Sequence, residues 1–101
     1  MNSFDEKVWQ LLEQIPKGKI TTYNEIAKKM NNPKAARAVG NACNKNPNGP
    51  QVPCHRVVSS NGKIGNYAFG LDRKVQILAK EGIQVKSGKI IDFEEKLFSY
   101  N

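Results

Sequence analysis

Pro47, Pro50 and Pro53, three prolines within seven residues, set the strongest limit on how this 101-residue chain can fold. Each removes a backbone donor and fixes φ, so Asn46 to Pro53 can be neither helix nor strand. The segment is a shaped loop, and the chain on either side of it must supply the core. On the N-terminal side the pattern is helical. Ser3-Phe4-Asp5-Glu6 is a capping box, and Phe4, Val8, Leu11, Leu12 and Ile15 recur at intervals of three and four until Pro16 and Gly18 interrupt them. After a short extended link, Lys19-Ile20-Thr21, a second capping box, Thr22-Tyr23-Asn24-Glu25, opens a short helix with Ile26, Ala27 and Met30 at core spacing. Asn32 is the predicted cap of a third helix, with Pro33 at its first position and an end near Asn44.

Two short helices joined by a residue or two, the second of them basic, read as a helix-turn-helix. On the third helix Lys34, Arg37 and Asn41 share a face, with the small residues Ala35, Ala38 and Ala42 beside them and Ala36, Val39 and Cys43 opposite. Beyond the proline loop, Val57 and Val58 are strand formers and Asn61-Gly62 is a favoured hairpin turn, so residues 57–65 are predicted to be a hairpin, the wing. Leu71 to Glu81 returns to helical spacing with Leu71, Val75 and Leu78 inward. The tail predicts a further hairpin around Ser87-Gly88 and a helical turn from Glu94. The fold class is mainly α with a small β component: one winged helix-turn-helix-like domain over residues 1–101.

The charge is uneven. Between Ile26 and Leu71 there is no acidic residue, while Lys28, Lys29, Lys34, Arg37, Lys45, Arg56 and Lys63 supply seven positive charges, which equals the whole net charge of +7. Concentrated in one stretch, that charge suits a polyanion-binding face, although a solvated basic run is an equal reading from charge alone. No apolar run approaches the roughly 20 residues of a membrane span, and the N-terminus lacks the pattern of a signal peptide. An intracellular protein without a membrane partner is expected, cytoplasmic in a prokaryote and nuclear in a eukaryote. Cys43, Cys54 and the single histidine, His55, are too few for a four-ligand zinc site and form no Cys-x-x-Cys pair, so no metal and no cofactor are expected.

Pro53-Cys54-His55-Arg56-Val57 brings a thiol, an imidazole and a guanidinium together. A cationic neighbourhood favours thiolate and makes Cys54 a candidate nucleophile. Neighbouring side chains of an extended segment point to opposite sides, however, and a buried structural cysteine fits the same pattern. Cys43, on an apolar helix face, has that structural reading.

Tyr23, Asn32 to Gly40, Asn46-Pro47, Val52 to Val58, Gly62, Gly65-Asn66-Tyr67, Gly70, Lys74 and Leu78 to Gly82 together resemble, in order and spacing, the C-terminal domain of the O6-alkylguanine-DNA alkyltransferases. The resemblance covers about residues 4–82 and implies a monomer that binds duplex DNA containing O6-alkylguanine. Such a protein flips the base and transfers its alkyl group irreversibly to its own cysteine, as a single-turnover methylated-DNA-protein-cysteine methyltransferase. Carried over by position, Cys54 is the acceptor, His55 its base through a water, Glu81 the group orienting His55, and Tyr67 the donor to the guanine leaving group. Asn46 would brace the active-site loop, Arg37 replace the flipped base and Tyr23 push the 3′ phosphate. Lys34, Ala35, Ala36, Asn41 and Arg56 would face DNA, and Val57, Ser59, Gly65, Asn66, Ala68 and Phe69 would line the pocket.

The sequence departs from the family pattern in two respects. The family's usual N-terminal domain has no counterpart in these residues, a form similar to the alkyltransferase-like proteins, which sense the same lesions but carry Trp where this chain has Cys54. Ala68-Phe69 replaces small or hydroxyl residues beside the pocket and bears on which alkyl groups it accepts. A lesion sensor and, from another class, a winged-helix transcription regulator with an incidental Cys54-His55 are the alternatives.

Overall fold

Helix α1 (Ser3–Glu13) buries Val8 and Leu12 completely, and Ile15 turns inward just past its end, as the spacing predicts. The computed structural model describes residues 3–45, 52–65, 67 and 70–100. Three contacts fasten α1 to distant chain: Trp9 Nε1 donates to Ala42 O at 2.9 Å, Tyr100 Oη to Leu11 O at 2.6 Å, and the buried Asp5 pairs with Lys45 at 3.6 Å.

Helix α2 (Tyr23–Lys29) opens at the second capping box, where Thr22 Oγ1 accepts from Glu25 N at 3.0 Å. Helix α3 (Ala36–Asn44) packs against α2 but begins later than the predicted Pro33. Asn32 O accepts from Ala35 N at 2.9 Å, so residues 32–35 form a turn, and the first helical bond runs from Val39 N to Ala35 O. The turn seats Ala35 in the core, a tertiary contact that overrides the local start signal. Ala42 is buried as well, which leaves Ala38 as the exposed small residue on the face of Lys34, Arg37 and Asn41.

The link before α2 is the middle of a small sheet. Strand β1 (Thr21–Thr22) pairs in parallel with β2 (Val57–Val58), and Ile20 bridges Leu97 on its other side. The predicted 57–65 hairpin is therefore corrected. Val57 and Val58 are fully buried and find their ladder partner on β1, while a turn closed by Ser59 N to Lys63 O and Gly62 N to Ser59 O, both 2.9 Å, carries the chain away. Residues 62–64 then pair with the tail, whose predicted hairpin forms as β3 (Val85–Lys86) and β4 (Lys89–Ile90). Its turn residues, Ser87 at φ 52° and Gly88 at φ 76°, have the two positive angles of a type I′ turn.

Successive strand residues face opposite ways. Val57 accordingly joins the cluster of Val8, Leu12, Ile26 and Val39, and Val58 joins that of Ile20, Ile64, Leu78 and Ile83. Helix α4 (Leu71–Lys80) borders this second cluster, and α5 (Phe93–Lys96) is the short turn near the predicted Glu94 start. One inward position of α4 is corrected: Leu71 is 45% exposed, whereas Lys74 is wholly buried beside Leu78.

Thr22 caps the helix that carries Tyr23, so Thr22→Ala should lower the urea-unfolding free energy by about 1 kcal/mol and Thr22→Ser should recover most of the loss. Equal losses in the two variants would assign the effect to the buried methyl group instead of the cap bond.

Candidate active site

After Pro53 the chain turns through a single 3₁₀ turn, Cys54–Arg56. At three residues per turn, consecutive side chains diverge by about 120°, so Cys54 and His55 do not oppose each other as an extended segment would require. Both are buried, and neither Cys54 nor Cys43 is in a disulfide.

The end of α4 brings the carboxylate. Gly82 N donates to Ala79 O at 3.1 Å and Ile83 N to Leu78 O at 2.9 Å, the paired bonds of a Schellman ending, with Ile83 and Leu78 in one apolar cluster. Gly82 takes the left-handed φ of 86° that this ending requires. Glu81, at the cap position, is thereby aimed at the 3₁₀ turn.

Its carboxylate receives three bonds. Arg56 Nε reaches Oε1 at 2.9 Å and Arg56 Nη2 reaches Oε2 at 2.7 Å, a bidentate pair, while His55 Nε2 lies 3.1 Å from Oε2. Arg56 Nη1 donates to Ile15 O at 2.8 Å. Burial pushes the Glu81 carboxyl up, but the bonds and charges of Arg56 and His55 outweigh it and hold the group below the usual carboxylate value. An ionised carboxylate only accepts, so His55 Nε2 carries the proton and Nδ1 keeps its lone pair. Nδ1 is buried and makes no hydrogen bond among the described residues. Burial lowers the His55 pKa, Glu81 counteracts this, and Arg56 and Lys74 reinforce it; the net shift is downward, so the ring is neutral at pH 7.

Tyr67 stands edge-on to His55, with ring centroids 6.4 Å apart. Burial, then the charge of Cys54, pushes its phenol up, so it stays protonated as a donor. Lys74 is the residue that sequence reasoning left without a role. It is fully buried, and Nζ donates to Val57 O at 2.7 Å. Burial lowers its pKa to about 8 against the opposing pull of the Cys43 and Cys54 thiols. Burial raises the Cys43 thiol to about 12, in keeping with a structural cysteine. The signal for Lys74 was its place four residues before Leu78, on the inward stripe.

The remaining expected residues lie on the surface beside α3. Tyr23, Ala36, Arg37, Gly40, Asn41, Asn44, Ser59 and Gly65 line a concavity of about 280 Å³. A Cβ on Gly65 would stand 3.0 Å from Tyr23 Oη, so a glycine is needed where this loop meets Tyr23. Lys34 is exposed nearby in sequence, in the turn before α3. Two DNA-facing expectations are corrected: Arg56 is turned inward onto Glu81 and Ile15, and the Ala35 side chain is in the core. Val57 is fully buried. Asn46, Asn66, Ala68 and Phe69 lie outside the described residues. The larger groove between α1 and the end of α2, about 500 Å³ and lined by Phe4, Leu11 and Met30, holds none of this chemistry.

A helix-turn-helix domain with a buried Cys-His-Glu cluster is thus defined. The chain belongs to the family described as 6-O-methylguanine DNA methyltransferase, DNA binding domain, whose sequence model matches residues 3–83. It is 54% identical over 79 residues to a methylated-DNA–protein-cysteine methyltransferase of Methanosarcina acetivorans, covering 78% of this chain and 51% of that protein. To a DNA base-flipping protein of Escherichia coli it is 38% identical over 99 residues, covering 98% of this chain and 77% of the relative. The solved structure of S. pombe Atl1 in complex with damaged DNA containing O6-carboxymethylguanine is similar with a TM-score of 0.84 at 33% identity, covering 99% of this chain and 98% of that one. The chain therefore spans about half the length of the Methanosarcina relative.

Lys74 gives this site a pH signature. Its folded pKa of about 8 lies below the ordinary 10.5, so between those values the unfolded chain holds a proton that the folded one has lost, and stability rises with pH. Cys43 and Tyr100, both raised by burial, act in the opposite direction, which is why wild type is compared with a variant that keeps both groups. The unfolding free energy of wild type relative to Lys74→Met should therefore increase by about 3 kcal/mol from about pH 7.5 to 10.5. A difference independent of pH would mean that folding does not perturb Lys74.

Proposed function

We propose that this protein repairs DNA by direct reversal, taking the alkyl group of O6-alkylguanine onto Cys54. The observation that carries the reading is the neutral His55 held through Nε2 by Glu81, its basic Nδ1 making no hydrogen bond among the described residues, in the same 3₁₀ turn as the buried Cys54. The thiol proton passes to Nδ1, directly or through one water, and Glu81 stabilises the imidazolium that forms. The thiolate attacks the alkyl carbon; the S–C bond forms as the C–O bond breaks, and the electron pair leaves on the guanine. Tyr67 donates a hydrogen bond to the departing guanine anion, which takes up a proton at its ring nitrogen while the imidazolium gives up the one it took from the thiol, so that the net change is alkyl to sulfur and proton to guanine. The product is a thioether, which no group in the cluster can cleave, so each molecule acts once.

The alkyl group lies inside a duplex, so the base must be flipped out at a cost of a few kcal/mol. The exposed Arg37, beside Tyr23 on the α3 surface, is suited to fill the gap, and the basic segment supplies phosphate contacts that offset the cost. These DNA roles are supported by the similarity to DNA-bound relatives.

A lesion sensor is the second reading. It is favoured by one observation: the base-flipping relative and Atl1 match this chain through its tail, at 98% and 99% coverage, whereas the family match ends at residue 83. Intact mass after incubation with an O6-methylguanine duplex separates the two. Direct reversal requires a stoichiometric gain of one methyl on Cys54, absent in Cys54→Ala, with Cys43→Ala behaving as wild type. Lesion-selective binding with unchanged mass would establish the sensor instead. The pH profile follows from His55. Because its pKa is lowered, single-turnover transfer should hold as the pH falls through about 6.5 and decline only below it. His55→Ala should gain rate steadily toward alkaline pH, and a profile matching wild type would rule out His55 as the base.

A further inference from the structure

The outward face of the ribbon formed by residues 62–64, β4 and β3 carries a lysine on each strand. Lys63 stands opposite Lys89, and Lys89 opposite Lys86. Directly opposed residues of antiparallel strands project to the same face. All three are exposed, while Ile64, Ile90 and the half-buried Val85 turn to the apolar cluster beneath. Ile64 N donates to Gly88 O at 3.0 Å and Ile90 N to Gly62 O at 2.8 Å, which makes Lys63 and Lys89 a non-hydrogen-bonded pair, the closer kind.

Like charges placed directly opposite each other destabilise a sheet. None of the three lysines has an ion-pair partner among the described residues, where the pairs are Lys28 with Glu25, Lys45 with Asp5, and Glu81 with His55 and Arg56. Strands lie about 4.8 Å apart, so three rungs on flexible stems span about 10 Å, the rise of roughly three phosphates on one strand of a duplex at 3.4 Å each. A register that opposes stability and presents cations at this spacing fits a phosphate backbone. The position fits as well. Ser59 lines the concavity with Tyr23 and Arg37, and its amide donates to Lys63 O at 2.9 Å, so the first rung closes the turn that borders that surface. Lys86 and Lys89 lie beyond residue 83, outside the family match.

We propose that Lys63, Lys89 and Lys86 form a phosphate-binding ladder with which the tail grips the same duplex beyond the flipped base. The ladder rests on the DNA-binding reading above and extends it to a second contact. Each phosphate it neutralises adds about 0.9 to the slope of log K against log salt.

The test compares wild type with K63Q/K86Q/K89Q on two lesion-bearing duplexes, one reaching more than a helical turn to either side and one ending a few base pairs from the lesion. On the long duplex the triple variant should lower the salt slope by about 1.8 to 2.7, the value for two to three phosphates, so that raising salt from 50 to 200 mM weakens wild type about 12- to 40-fold more than the variant. On the short duplex the two proteins should agree in slope and in transfer rate. Lys89→Gln alone should remove about one unit of slope. Lys89→Glu places a carboxylate between two lysines, so it should raise the Tm while binding the long duplex more weakly than Lys89→Gln; a lower Tm would assign the lysines to the fold. Equal slopes on the long duplex would overturn the ladder. A wild type that binds neither duplex would overturn the DNA-binding reading on which it rests.

Discussion

The carboxylate of Glu81 joins three parts of the chain that are far apart in sequence. It lies at the end of α4, accepts two bonds from Arg56 and faces His55 in the 3₁₀ turn, and through Arg56 Nη1 it is linked to Ile15 O beyond α1. A buried ion pair returns its desolvation cost only when its remaining hydrogen-bonding groups are satisfied. Here both carboxylate oxygens and the guanidinium are engaged, so removing either partner would leave the other charge unpaired in a largely enclosed place. The Schellman ending of α4 fixes where the carboxylate sits, and the clamp in turn fixes the turn that holds Cys54.

The same clamp decides the chemistry open to the site. A carboxylate facing histidine alone would raise the imidazole pKa and favour a permanent imidazolium. Burial comes first here, and Arg56 neutralises part of the Glu81 charge, so the ring stays neutral while its tautomer is fixed. Positive charge is divided in two by the fold. The half-buried Arg56 and the fully buried Lys74 are turned inward at the site, whereas Lys34, Arg37 and the ribbon lysines remain exposed. A helix-turn-helix surface bearing Arg37 and a thiol-bearing interior bearing Arg56 thus share a basic segment, between Ile26 and Leu71, that looked uniform in sequence.

Features governed by local rules were legible before the structure. The Thr22 cap, the inward stripe of α1 and the Ser87-Gly88 hairpin all follow from neighbours within a few residues. Features settled by distant partners were not. Val57 and Val58 pair with Thr21 and Thr22 instead of folding back on the following residues, and Ala35 is drawn into the core past a strong helix start at Pro33. Arg56 looked like a DNA contact because its partner, Glu81, lies 25 residues away. Lys74 broke the apolar pattern of α4 because a backbone carbonyl, which no side-chain pattern records, receives it. The family resemblance named Cys54, His55 and Glu81, and the structure places His55 against Glu81; it did not foresee that Arg56 shares the carboxylate.

The central claim is that the Arg56–Glu81 pair holds a neutral His55 with its proton on Nε2 and its lone pair on Nδ1. Nitrogen-15 NMR of the imidazole, recorded between about pH 5.5 and 8 around the ordinary histidine value, measures both properties directly. The account predicts the Nε2–H tautomer at neutral pH, with protonation setting in only below about 6.5. An Nδ1–H tautomer, or an imidazolium already present at pH 7, would contradict it.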